Sequence, residues 1–363
     1  MPTLTSQHGN PSSLHGSGRA AWRAVERARE QVAAVCGVKP RQVVFTSGAT
    51  EADNLAVSGL AGKVAGTVVS SRLEHAAVLN SVESLADAGR DVRFVAPDAD
   101  GAITAAALAE LLARPDTGKA ALVALMYVNN ETGVITDVAA IAEVAHEAGA
   151  LFFCDAVQAA GLEDVALAAS GADVLTLSAH KINGPKGVGA LIKGAGIELQ
   201  PQVRGGSQER GLRPGTHAVS AIVGFGAALE LAERRRVANR AHIASLQAEL
   251  ESACLAIDGV TLNGADARRG VKHSNFSVAG VDGESLLMAL DDVGVEVSAG
   301  SACAAGSLEP SHVLLAMGLT VDSARASVRF SYGPATNMSE VQEAASRFRA
   351  VVARCRGVAS GAS

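Results

Sequence analysis

From Gln42 to about Ile192, short apolar runs alternate with helix-length amphipathic segments, and this alternation restricts the fold more than any other feature. The strand candidates are Gln42–Thr46, Thr67–Ser70, Val92–Val95, Ala121–Tyr127, Leu151–Cys154, Asp173–Leu177 and Val188–Ile192. Between most of them lie helical patterns: Glu51–Leu60, Ala76–Ala88, Ala105–Leu112 and Val138–Ala148. Strands separated by helices build a mostly parallel sheet covered on both faces. A long helical pattern then runs from about His217 towards Leu255, with a break near Ala238. Strand-like Val260–Leu262, Asn275–Val278 and Ser327–Ser331, helix-like Glu284–Asp291 and a closing helix Ser339–Arg354 follow, enough for a small α/β domain. The expected division is a large domain over 16–235, a smaller one over 236–356 and a disordered tail, 357–363.

A chain of 363 residues fits two domains, and with 48% hydrophobic but only 3% aromatic residues its core must rest on Ala, Val and Leu. The net charge of -6, with both signs interspersed, gives no basic footprint for direct nucleic-acid binding. The five cysteines, Cys36, Cys154, Cys254, Cys303 and Cys355, form no CxxC pair, so neither a disulfide framework nor a zinc site is expected. No resident metal is expected, and a reducing cytoplasm is the simpler setting. No signal peptide and no apolar run of membrane-spanning length is visible.

Four segments could carry chemistry. Lys181, in Ser178-Ala179-His180-Lys181, follows a strand and meets the turn Gly184-Pro185-Lys186-Gly187. In a partly desolvated crevice such an amine can lose its proton and attack an aldehyde; a lone lysine there is more often an ordinary loop residue. Asp155 ends an apolar strand and needs a partner if buried, for which a protonated pyridine nitrogen would serve; taken alone, the reading as a helix N-cap is favoured. Thr46-Ser47-Gly48-Ala49-Thr50-Glu51 is a strand-to-helix turn whose free amides suit a phosphate, though many such turns look alike. Cys303, in Ser298-Ala299-Gly300-Ser301-Ala302-Cys303-Ala304-Ala305-Gly306, is flanked by small residues that leave a thiol accessible, whereas an isolated cysteine is commonly structural. Taken singly, His75 could start a helix, Asn130 could shape a turn and Arg329 could be an exposed strand position.

Together these segments resemble the cysteine desulfurases of the class V aminotransferase family. The likeness runs from about His8 to the last helix. It takes in Gly9-Asn10-Pro11-Ser12-Ser13, Thr46 to Glu51, Glu74-His75, Val128-Asn129-Asn130-Glu131-Thr132-Gly133, Asp155-Ala156-Val157-Gln158 and Ser178 to Lys181. It continues through Glu209-Arg210-Gly211-Leu212-Arg213-Pro214-Gly215-Thr216, Gly300-Ser301-Ala302-Cys303, Ser307-Leu308-Glu309-Pro310-Ser311-His312 and Val328-Arg329-Phe330-Ser331. The cysteine segment is similar to the housekeeping and nitrogen-fixation branch.

The resemblance implies the type I fold of pyridoxal-phosphate (PLP) enzymes: a large, mostly parallel seven-stranded α/β domain and a smaller C-terminal α/β domain. It implies that Lys181 carries PLP covalently, that Asp155 pairs with the ring nitrogen and Gln158 with the ring oxygen, and that His75 stacks on the ring and moves protons. Ala49, Thr50, Ser178 and His180 would hold the phosphate, with Thr216 reaching over from the partner of a homodimer. Asn130 would orient cofactor and substrate, Arg329 would receive the carboxylate of L-cysteine, and Asn10 would line the substrate pocket. Sulfur would pass to Cys303 as a persulfide, leaving alanine, and then to an iron–sulfur scaffold or a tRNA-thiolation carrier; a transient iron–sulfur contact at Cys303 is conceivable. Family members usually begin with a further strand and an Asp-x-Ala-Thr-Thr-Pro motif that this sequence lacks, so residues 1–15 are expected to be a truncated part of the small domain. Two other functions remain open here: another class V aminotransferase or lyase, or a weakly active or inactive partner protein in sulfur trafficking.

Overall fold

The structure, a computed structural model, describes residues 8–299 and 309–361. Contacts divide the chain into two compact units, Met1–Val95, Thr104–Tyr127 and Thr136–Arg236 in the first, and Ala96–Ile103, Val128–Ile135 and Val237–Ser363 in the second.

The first unit holds seven strands: β1 (Val43–Thr46), β2 (Thr67–Ser71), β3 (Val92–Val95), β4 (Ala120–Met126), β5 (Leu151–Asp155), β6 (Val174–Ser178) and β7 (Gly189–Lys193). They lie in the order β1-β7-β6-β5-β4-β2-β3. All neighbours are parallel except at β7, which runs against both β1 and β6. The α/β expectation therefore holds, with one reversed strand. Its reversal leaves the carboxyl ends of β1, β2, β4, β5 and β6 on one edge, where open α/β sheets bind their ligands. β4, β5 and β6 are buried almost throughout, which is why they read as continuous apolar runs.

Helices Ala49–Ala61, Ala76–Asp87, Ala105–Ala113 and Val138–Glu147 link these strands. A helix not anticipated spans Gly16–Val35, capped by His15, whose Nδ1 accepts from Gly18 N at 3.2 Å. Its buried stripe, Ala21, Ala24, Val25, Ala28 and Val32, is built mostly of alanine and is interrupted by Arg and Glu. It packs on helix Val219–Arg234, where a Cβ on Gly226 would stand 2.8 Å from Ala28 Cα, so the helices touch closely only because that position is glycine. Residues 9–15 group with this first unit through that capped helix, not with the smaller unit as expected. The long pattern expected over 217–255 divides at Arg235 into Val219–Arg234 and Arg236–Leu255.

The second unit carries an antiparallel sheet in the order β10-β11-β9-β8: β8 (Val260–Leu262), β9 (His273–Val278), β10 (Ser298–Ala299) and β11 (Ser327–Ser331). Phe276, Phe330 and Phe348 pack at centroid separations of 5.5 to 6.3 Å, concentrating scarce aromatics in one small core. The closing helix runs Met338–Gly361 and continues through Gly357 into the segment expected to be a disordered tail.

One buried ion pair fixes an irregular segment of the first unit. Arg29, on helix Gly16–Val35, meets Glu209 through two 2.7 Å bonds. Glu209 also accepts from Phe45 N at 2.9 Å and lies 2.6 Å from His217 Nε2. Burial raises the Glu209 carboxyl, but the Arg29 and His217 bonds outweigh it and hold it at about 2. Glu209 and Arg210 stand at φ 46° and 57°, a conformation costly for non-glycine residues. Arg29→Ala is expected to cost on the order of 3–5 kcal/mol, because it strands a buried carboxylate, and to lower the urea midpoint accordingly. Because Glu209 is held below its ordinary value, its contribution is present above that value and lost as the pH falls towards 2, so wild-type and variant unfolding curves should converge in acid.

Candidate active site

Asp155 closes β5, and its Oδ1 accepts from Val157 N at 2.9 Å. Burial pushes its carboxyl above the usual range; the Val157 amide and the charges of His75 and Lys181 pull it back. Lys181 and His75 therefore lie in one electrostatic neighbourhood with Asp155, although more than a hundred positions separate His75 from Lys181 in the chain.

Local backbone places each group. Lys181 sits in the single turn Ala179–Ile182 directly after β6, and Asn183 at φ 61° ends that turn. His75 caps helix Ala76–Asp87, its Nδ1 accepting from Ala77 N at 3.1 Å. Ser178, buried at the end of β6, lies 2.8 Å from the Nδ1 of exposed His180. Gln158 is buried in the turn after β5.

Ala49 and Thr50 open helix Ala49–Ala61 behind Gly48, so the first amides of that helix point to the same sheet edge. Gly189 of β7 lets this turn approach: a Cβ there would meet Gly48 C at 2.7 Å and Leu177 O at 2.8 Å. Arg213 donates to Glu51 Oε1 at 2.9 Å, tying the 209–216 segment to the start of that helix. Thr216, in this segment, is exposed. Asn10 is exposed and turns the chain locally, its Oδ1 accepting from Ser12 N at 2.9 Å.

Asn130 and Arg329 belong to the second unit. Arg329, on β11, donates through Nη1 to Asn130 O at 2.7 Å and through Nη2 to Ser298 Oγ at 3.2 Å. Among the described residues neither Arg329 Nε nor Asn130 Oδ1 has a hydrogen-bond partner, so both polar groups are buried and unsatisfied. Glu131 acts on Arg329 electrostatically; burial raises its carboxyl to about 7, against the Ser311 hydroxyl and the Arg329 charge. Cys303 lies outside the described residues.

Sequence reasoning missed four contributors: Asp53, Thr176, Ser298 and the Arg213–Glu51 pair. Asp53 left one signal, an acid among Ala52, Leu55 and Ala56 on the apolar face of its helix. Among the described residues, no cluster of His, Cys, Asp and Glu could hold a metal ion, and no helix is long and apolar enough to cross a membrane.

A buried acid, a strand-end lysine and an amide-rich turn gathered at the carboxyl edge of an open sheet define a ligand-binding α/β protein. The sequence pattern of the class-V aminotransferases matches residues 1–343, and the chain belongs to that family. It is 41% identical over 362 residues to the cysteine desulfurase IscS of Vibrio cholerae serotype O1 (strain M66-2), covering 98% of this chain and 88% of that one. Among solved structures it resembles a NifS-like protein with a TM-score of 0.89 and 31% identity, over 97% of this chain and 94% of that one. It also resembles SspA in complex with cysteine, with a TM-score of 0.80 and 35% identity, over 92% and 93% of the two chains.

Gly189→Ala is expected to force the turn at Gly48 off β7, at a cost on the order of 1–3 kcal/mol. Thermal unfolding together with a PLP titration should report both the lost stability and a weaker affinity.

Proposed function

We propose that this chain is a PLP-dependent cysteine desulfurase. The observation that carries the reading is the buried Asp155 carboxyl acted on by both Lys181 and His75 at the carboxyl edge of the sheet. It is supported by 41% identity to a cysteine desulfurase over nearly the whole chain. The donor set fits the coenzyme: an amine for its aldehyde, a buried acid for its ring nitrogen and a helix start with Ser178 and His180 for its phosphate. In the proposed division of labour Gln158 holds the ring oxygen and His75 covers the ring face. Thr216 is assigned to the phosphate of a partner copy in a homodimer.

The bound coenzyme supplies an electron sink for the α-carbon of the substrate. The chain's residues do the rest. Arg329 fixes the substrate carboxylate as a two-pronged cation and Asn130 orients it; Asn10 is assigned to the same substrate. Lys181, as a neutral amine, removes the α-proton, and Asp155 stays anionic to keep the ring nitrogen protonated. The Cys303 thiolate attacks the substrate sulfur. A sulfur–sulfur bond forms, the carbon–sulfur bond breaks with its electron pair left on carbon, and protonation there together with return of the α-proton from Lys181 yields alanine. The Cys303 persulfide is then open to a second thiol by exchange. Its natural acceptor is an iron–sulfur scaffold or a tRNA-thiolation carrier, and the setting is the cytoplasm.

Cys303→Ser should keep the coenzyme absorbance and abolish sulfide release from cysteine. Full sulfide release by that variant, or a keto acid in place of alanine, would turn the reading towards another class V reaction. Arg329→Lys, which keeps charge but loses the fork, should raise the KM for cysteine by about tenfold or more with a smaller change in kcat.

A further inference from the structure

Asp155 is the centre of a row that crosses three strands. The register pairs it with Met126 of β4 on one side and with Thr176 of β6 on the other. Each flanking residue bonds a further carboxyl. Met126 N donates to Glu74 Oε1 at 2.9 Å, and Thr176 Oγ1 donates to Asp53 Oδ1 at 2.6 Å. Glu74 and Asp53 are each 1% exposed, deeper than Asp155 at 7%. Asp53 Oδ2 has no hydrogen-bond partner among the described residues. The proposed reaction uses neither acid.

Three carboxyls thus line up across the sheet edge. Other titratable groups that act on them include His75 and Lys181, on Asp155, and the buried thiol of Cys154, which feels Asp155 and Glu74. Three negative charges cannot persist in such a place: burial and mutual repulsion both favour protonated acids. For Asp53, an unshared proton on Oδ2 costs far less than an unshared charge. Glu74 also has an amide donor, Met126 N, but of the three only Asp155 is pulled back by the charges of His75 and Lys181 as well.

We propose that Asp53 and Glu74 are positioning residues that each hold a proton, so that the row carries one negative charge and that charge resides on Asp155. This deepens the reading of Asp155 as the partner of the coenzyme's ring nitrogen and rests on it. Two neutral acids brace Met126 and Thr176, the backbone neighbours of Asp155, without competing for the ring proton. Burial, and the charge of Asp155, hold both acids well above the usual carboxylate range, in agreement with this arrangement.

The test uses the full chain as purified and its near-isosteric variants Asp53→Asn and Glu74→Gln. An acid held above its ordinary value stabilises the fold in acid, and that contribution is lost as the pH rises. Neutral amides lose nothing on that path. Each variant should therefore match wild type in Tm at about pH 4, near the ordinary carboxylate value, and exceed it increasingly as the pH rises, by several degrees at about pH 9. PLP absorbance and affinity at about pH 7 should stay within about threefold of wild type, since the charge on Asp155 is undisturbed. A Tm no higher than wild type at the alkaline end, or failure of both variants to fold, overturns the proposal. If wild type holds no PLP, the coenzyme reading fails instead, while the comparison of Tm against pH still decides whether the two acids are protonated.

Discussion

A carboxyl set into the apolar edge of a sheet stays ionised only beside a cation, and Asp155 imposes that demand on the whole of the larger unit. Its own strand leaves it no freedom: Phe152, Phe153 and Cys154 before it are fully buried, so the side chain at the strand end is drawn into the same environment. The sheet answers by bringing two cationic side chains from distant stretches of chain to that edge. His75 arrives as the cap of a helix and Lys181 in a turn closed by a left-handed residue. Both are placed by the backbone at an element's start or in its turn, at the edge where Asp155 needs a cation.

The smaller unit shows the same economy of polar groups. Arg329 is anchored by a carbonyl and a hydroxyl, neither of which neutralises it, and its Nε is left without a partner among the described residues. A buried guanidinium satisfied only in part is poised for an anion. Glu131 nearby is held at about 7, so around neutrality it is only partly ionised and leaves much of the Arg329 charge available. Arg329 and Asn130 thus keep buried polar atoms unsatisfied where substrate binding is assigned, whereas Arg29 and Glu209 meet through two bonds.

Most of the larger sheet was legible in the sequence because doubly covered strands read as unbroken apolar runs. The direction of β7 was not, since strand patterns carry no polarity; only the short Ala179–Val188 connection hinted that β6 and β7 run antiparallel. Helix Gly16–Val35 escaped notice because its buried face is alanine, whose periodicity is faint against charged neighbours. Lys181, Asp155 and His75 were legible through their motif contexts. Asp53, Thr176 and Ser298 were not, because each matters through a contact that only the folded register creates.

The strained segment around Glu209 shows what the buried ion pair contributes beyond stability. An ion pair taken out of water gives little net stabilisation, so its use at this point calls for another reason. Glu209 reaches helix Gly16–Val35 through Arg29, β1 through the Phe45 amide and the following turn through His217. These directed bonds define one position for a stretch whose backbone would relax if left to itself. Apolar packing could hold the same stretch against the core, but it is non-directional and would not select left-handed angles at Glu209 and Arg210. The same stretch carries Arg213, bonded to Glu51 in the first turn of helix Ala49–Ala61, and Thr216 three residues beyond. A directional clamp therefore places both residues relative to the sheet edge that Asp155 governs, at the cost of local strain and a buried charge.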